Sequence, residues 1–248
     1  MNNNEFIHEF DVLINAHQQE FDGEISEFLL DEYEKSVLLT QAQDEFAIAA
    51  YNGKNQYGYM FESDEESRRY LDSLIKTVTL TTQVTPTEGI EIISKDSKLY
   101  EAPSDLMFIT YESVKLESKD DSCINGRVIE VVPIRQDEFH KVYDNPFRGA
   151  NKRRALRLDN SGDILEIVCK YNIAEYVIRY VRRPNPIILV DLDGGLTIQG
   201  KSVETPCELE PATHRLILQR AVSLALQSKA INQRTNKQTI NNNQNQNN

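Results

Sequence analysis

Apolar positions recur with a helical period near the start and the end of the chain, and with a period of two between. Phe6, Ile7, Phe10, Leu13 and Ile14 fall on one face and predict a helix over 6–17. A polar stretch containing Gly23 follows and is expected to loop. Asp31 with Glu34 three residues on has the form of a capping box, with Asp in the cap, and predicts the start of a second helix. That helix runs through Leu38, Ala42, Phe46 and Ala49 to a stop at Asn52-Gly53. Ser63 with Glu66 marks a third start, leading through Tyr70, Leu71, Leu74 and Ile75.

At Thr77 the period changes. Thr77-Val-Thr-Leu-Thr-Thr-Gln-Val84 is β-branched and alternating, which predicts a strand. Further strands are expected over 106–116, 128–132, 155–158, 164–169 and 176–181, with turn signals at Ile124-Asn-Gly-Arg127 and Asn160-Ser-Gly162. A short helix over 136–143 is broken by Asn145-Pro-Phe-Arg-Gly149. In Arg183-Pro184-Asn185-Pro186 each proline pushes its predecessor into extended geometry. An apolar run at 187–190 then meets Asp193-Gly194-Gly195, whose glycines accept positive φ. The last helix opens with Pro211 in its first turn and carries Ile217, Leu218, Ala221, Val222 and Ala225 on one face, widened by Leu216 and Leu224. So wide a stripe needs the N-terminal helices to pack on. The expected class is α+β: a helical domain from 1–76 and 204–231, with a sandwich- or barrel-like β-rich domain, 77–203, inserted. Residues 232–248 are almost all Asn and Gln and are expected to be a disordered tail.

Charge sharpens this division. The net charge of −12 lies wholly in the first 76 residues, which hold 17 acidic against 5 basic side chains, while the remainder holds 22 of each. That balance argues against general nucleic-acid affinity, which depends on neutralising phosphates. An acidic helix face is either simply solvated or turned toward a partner. No apolar run approaches a membrane span, and Met1-Asn-Asn-Asn-Glu-Phe6 lacks a basic leader, so a soluble cytosolic product with no membrane partner is expected. Cys123, Cys169 and Cys207 are odd in number and far apart, which speaks against a disulfide framework or zinc site.

Candidate chemistry is sparse. Ile187-Ile-Leu-Val-Asp191-Leu-Asp193-Gly194 resembles the first motif of haloacid-dehalogenase-type phosphatases, in which the first Asp is the nucleophile and the second the general acid/base, with Mg²⁺. Such enzymes place the motif near the start of an α/β domain and need a later lysine and further acids. A hairpin turn with solvated aspartates is the plainer reading. His8, His17, His140 and His214 are dispersed, without partners at metal spacing. The basic cluster is the one patch suited to phosphate or an acidic surface: Lys152, Arg153 and Arg154 with Arg148 and Arg157, preceded by Phe147. These six residues are the candidate interface, and a nucleic-acid-binding module is the alternative use of them. No catalytic residue, metal ligand or cofactor is assigned.

Three blocks carry a resemblance. They are Asp31-Glu-Tyr-Glu-Lys-Ser-Val-Leu-Leu-Thr-Gln-Ala-Gln43; Val132-Pro-Ile-Arg-Gln-Asp-Glu-Phe139 with Asn145-Pro-Phe-Arg-Gly-Ala-Asn-Lys-Arg-Arg-Ala-Leu-Arg157; and Tyr180-Val-Arg-Arg-Pro-Asn-Pro-Ile188 with Glu204-Thr-Pro-Cys-Glu-Leu209. Together they resemble neck proteins of crAss-like tailed bacteriophages, the ring or head–tail connector components near the portal. The resemblance implies a non-enzymatic virion protein, made in the host cytoplasm and placed in the neck between capsid and tail. It implies a homo-oligomeric ring, dodecameric after the portal's symmetry, whose partners are the portal and other neck or tail proteins. Genomic DNA would pass through its channel without sequence-specific binding.

Overall fold

The computed structural model of the chain describes residues 1–21, 30–53, 65–85, 92–119, 122–160 and 163–245. Ser63 and the turn residues 161–162 lie outside them. The chain divides into two compact units, Met1–Leu74 with Pro184–Asn248, and Ile75–Arg183. The fold is mixed α and β, with five α-helices and a seven-stranded sheet among the described residues.

In the first unit, α1 (Asn3–Phe21) buries Phe6, Phe10 and Ile14. α2 (Glu32–Asn52) begins where its cap predicts: Asp31 Oδ1 accepts from the Glu34 N–H at 2.7 Å, and the Asp31 N–H donates to Glu34 Oε2 at 3.2 Å. It ends at Gly53, whose φ of 69° is the left-handed cap a glycine supplies. α3 (Glu65–Tyr70) is shorter than its sequence suggests and gives way to a 3₁₀ turn at Asp72–Leu74. Leu71 and Leu74, both fully buried, fit an i, i+3 spacing that α and 3₁₀ turns share. α5 (His214–Asn245) follows a 3₁₀ turn opened by Pro211 and packs on α2 and α1 through Ile217, Leu218, Ala221 and Ala225. It continues to Asn245, through most of the segment for which the sequence predicts disorder. Once the packed turns have nucleated a helix, each further residue adds one hydrogen bond.

Residues 184–203 belong to this helical unit, not to the β-rich one in which the sequence placed them. The cause is a polar stripe on α2. Ser36, Thr40 and Gln43 stand on one face at i, i+4 and i+7, each 4% exposed or less. The extended stretch 185–189 lies along that face. Ser36 Oγ accepts from the Leu189 N–H at 3.0 Å. Thr40 Oγ1 accepts from the Ile187 N–H at 3.1 Å and donates to Ile187 O at 3.3 Å. Gln43 Nε2 donates to Asn185 O at 2.7 Å. From the other side, Ile188 pairs with Thr205 in an antiparallel bridge, Asn3 Nδ2 donates to Ile188 O, and the Glu208 carboxylate accepts from the Asn185 N–H. Every buried backbone group here therefore needs a partner, and α2 side chains supply half of them. Ile187 and Ile188 can then be fully buried with both the N–H and the C=O of each paired.

The second unit is a sheet in the order β1 (Ile75–Leu80), β7 (Asn172–Arg182), β3 (Leu106–Glu117), β4 (Val128–Pro133), β5 (Arg154–Asp159), β6 (Ile164–Val168), β2 (Ser97–Glu101). All pairs are antiparallel except β4 with β5, which are joined by a crossover containing α4 (Phe139–Tyr143). The sheet curls on itself. Tyr100 of β2 and Tyr176 of β7, far apart in strand order, have ring centroids 5.1 Å apart, and Val84, just past β1, bridges Leu99 of β2. The inner face is lined by Val114, Ile129, Val131, Ile167 and Ile178. α4 covers part of the outer face, setting Phe139 against Leu156, Leu158 and Val168. Neither β2 nor the parallel pair is visible in the sequence, because Ser97-Lys-Leu-Tyr-Glu101 has no alternation.

Thr40→Val keeps the shape of α2 but strips both partners from Ile187. It should lower unfolding stability by about 2–4 kcal/mol, whereas Gln41→Ala, on the exposed face, should cost within about 0.5 kcal/mol. Urea titration of both variants against the parent checks this.

Candidate assembly surface

The stretch after α4 is a built turn. Asn145 Oδ1 accepts from the N–H groups of Phe147 at 2.9 Å and Arg148 at 3.1 Å, an Asx turn, and the Gly149 N–H donates to Asn145 O at 2.7 Å. A Cβ at Gly149 would sit 2.5 Å from Tyr143 O and 2.8 Å from Asn145 O, so only glycine fits. Asn151 repeats the device. Its Oδ1 accepts from the Arg153 N–H at 2.8 Å, and its own N–H donates to Arg154 O at 2.9 Å, which puts Lys152 and Arg153 at a tip.

Of the six residues singled out in the sequence, four share this surface. Phe147 is 87% exposed, and Arg148, Lys152 and Arg153 are exposed around the same turn. Arg154 stands at its margin, half-buried, with Nε and Nη2 both on Glu130 Oε1 at 3.1 and 2.9 Å. Arg157 does not belong to the surface. Its side chain points into the curled sheet, 11% exposed, 3.0 Å from Glu112 Oε2 and 3.1 Å from Asp159 Oδ1. The reason is parity: Arg157 follows Ala155 on the inner face of β5, while Leu156 and Leu158 take the outer one. Glu112, 6% exposed, also accepts from the Tyr176 hydroxyl. No local signal in the sequence pairs residue 112 with residue 157.

Asp191 and Asp193 are exposed. Asp191 Oδ1 accepts from the Glu204 N–H at 2.7 Å, and Asp193 opens a turn in which Gly194 and Gly195 have φ of 68° and 79°. A second tight turn follows at once, with Gln199 and Gly200 at 49° and 78° between Ile198 and Lys201. The segment after the D-x-D-G motif is therefore a hairpin, not the helix a phosphatase motif leads into. Among the described residues no group of three or more His, Cys, Asp and Glu could hold a metal ion. His8 and His140 are exposed, the His17 side chain lies outside the described residues, and His214 is buried with Nε2 2.9 Å from Leu209 O. Cys169 is buried, and burial pushes the Cys207 thiol up to about 11. Among the described residues no helix is long and apolar enough to cross a membrane.

Among the described residues, the turn displays an aromatic and three cations on a backbone fixed by Asn145, Gly149 and Asn151. Comparison with known proteins gives that surface its context. The pattern of the phage tail ring protein 3/4 family matches residues 1–239. The chain belongs to this family. It is 47% identical over 230 residues to "Ring protein 3" of Bacteroides phage crAss001, covering 92% of this chain and 96% of that protein. It is 34% identical over 237 residues to "Ring protein 4/5" of the same phage, covering 91% and 92%. The resemblance drawn from the three sequence blocks is thus shown: the chain is a ring protein of the crAss-like phage type.

Gly149→Ala should cost about 1–3 kcal/mol, because three backbone oxygens would have to move, while Arg148→Ala beside it should cost within about 0.5 kcal/mol. Thermal unfolding of the two variants separates these outcomes. A second expectation concerns Glu112, whose carboxyl is pushed above its ordinary value chiefly by burial, against the opposing pull of Arg157 and Tyr176. The folded chain therefore holds this proton more tightly than the unfolded chain. The stability it contributes is full below the ordinary carboxylate value and is lost as pH rises through the raised one. Glu112→Gln should flatten that part of the dependence, read from urea midpoints between about pH 4 and pH 7.

Proposed function

We propose that the chain is a structural, non-enzymatic subunit of a dodecameric ring in the phage neck, assembled on the portal. In that position it would help form the channel through which DNA passes between capsid and tail. The observation that carries this reading is end-to-end similarity to two proteins named as rings, within a family matched over residues 1–239. Supporting it, the turn at 145–154 presents Phe147, Arg148 and Arg153 to solvent, and aromatics and arginine are enriched at protein interfaces. The first 76 residues carry the whole −12, so an acidic surface and a cationic one exist on the same chain. Heterologous contacts between two such surfaces close into rings when the rotation between copies closes. An acidic lumen would let DNA slide without holding it. We read the helical unit as a domain built from the first and last segments of the chain, with the curled sheet inserted into it.

A phosphatase built on Asp191 and Asp193 is the weaker reading, since Asp191 is committed to the Glu204 backbone and a hairpin follows. A nucleic-acid module is weaker too, because two of the five cations in the cluster face acids of their own sheet. Fractionation of purified particles tests the assignment. The chain should stay with the portal and tail after the capsid shell is disrupted, and purified chain should show no Mg²⁺-dependent phosphatase rate. Recovery with the shell, absence from particles, or a phosphatase rate lost in Asp191→Asn would contradict the proposal.

A further inference from the structure

Two surfaces of the chain, one on each unit, are complementary in both charge and apolar character. The first is the turn, with Phe147 87% exposed and Arg148, Lys152 and Arg153 around it. The second is the hairpin that follows the 185–189 stretch. Val190 and Val203, each two residues from the Ile188↔Thr205 bridge, are 40% and 66% exposed, and Leu196 near the next turn is 47% exposed. Asp191 and Asp193 flank Leu192 in the same segment and are exposed. Among the described residues, the other exposed large apolar side chains apart from Ile92 stand on helices or in the sheet, and Phe147 is the most exposed.

The hairpin is fixed in place. Gln199 Nε2 donates to Asp44 Oδ2 at 3.1 Å, Lys201 Nζ to Asn185 Oδ1 at 2.5 Å, and Asn3 Nδ2 to Glu204 Oε1 at 2.9 Å. The turn is fixed by its two asparagines and Gly149. Two pre-ordered surfaces lose little freedom on meeting, which favours association.

We infer that the Phe147 turn of one copy docks on the Val190–Val203 hairpin of the next copy in the ring. The occupant of the turn is thus a second copy of this chain. The inference rests on the ring reading above. Phe147 is the apolar anchor, set against Val190, Val203 and Leu196, and Arg148 and Arg153 face Asp191 and Asp193. The contact is heterologous, since each copy offers a different surface to each neighbour, and it repeats around a ring. An aromatic anchor ringed by arginine fits a protein partner better than a phosphate backbone, which has no apolar face for Phe147. The contact also gives the D-x-D-G motif a use that needs no metal.

The test is charge exchange. Arg148→Glu with Arg153→Glu reverses the turn. Asp191→Asn with Asp193→Lys reverses the hairpin while keeping an acceptor for the Glu204 N–H. Each pair alone should lower incorporation into particles by about tenfold or more, and the four changes together should restore it. Phe147→Ser should lower incorporation without changing the thermal midpoint, which separates a docking defect from a folding one. Normal incorporation of either reversed pair overturns the inference. A loss that the combined variant does not rescue overturns it as well, and assigns the turn to another neck protein or to DNA. Parent chain absent from the neck fraction would instead overturn the ring reading, so the two failures are distinguishable.

Discussion

A buried run of extended backbone cannot exist without hydrogen-bond partners, and in this chain α2 supplies them. Ser36, Thr40 and Gln43 meet the main chain at Leu189, Ile187 and Asn185, so a helix face plays the part that a neighbouring strand would play. Much of the helical unit depends on this. It lets Ile187, Ile188 and Leu189 enter the core, it fixes the base of the following hairpin, and it brings Glu208 and Leu209 to the start of α5. An apolar α2 would pack tightly but would leave those amides without partners, at a cost of about 1–3 kcal/mol for each group.

The sheet unit answers a different constraint. Both faces of β5 and β6 are buried, one inside the curl and the other under α4, so any charged residue on these strands has to find a buried partner or rise in energy. Arg157 and Glu112 meet that need inside the sheet. Cations on the turn before β5 have no such obligation and stay exposed, on backbone held by the Asn145 and Asn151 side chains. One short stretch of sequence thus divides into an internal strut and an external surface within ten residues.

Local signals read well where the physics is local. The Asp31/Glu34 cap, the Gly53 stop, the Gly194-Gly195 turn and the β5–β6 hairpin strands are set by residues within a few positions of one another. Signals that need a distant partner did not read. The Ser36/Thr40/Gln43 stripe looks like an ordinary polar helix face until the 185–189 stretch is laid on it. Arg157 looks like a member of a surface cluster until β3 brings up Glu112. β2 has too little alternation to announce itself, and its strand character comes from pairing with β6. The turn around Phe147 lay between these cases: its asparagines and glycine marked the break, but only the fold shows which of its cations remain outside.

The central claim is that one copy carries both halves of a repeating contact and that copies close into a ring. Averaged images of the particle neck, at a resolution that separates the helical and sheet units, test it most directly. The account predicts a closed ring around the channel in which the Phe147 turn of every copy meets the Val190–Val203 hairpin of its neighbour. A ring in which that turn faces solvent or a different protein, or a neck with no ring of this chain, would contradict it.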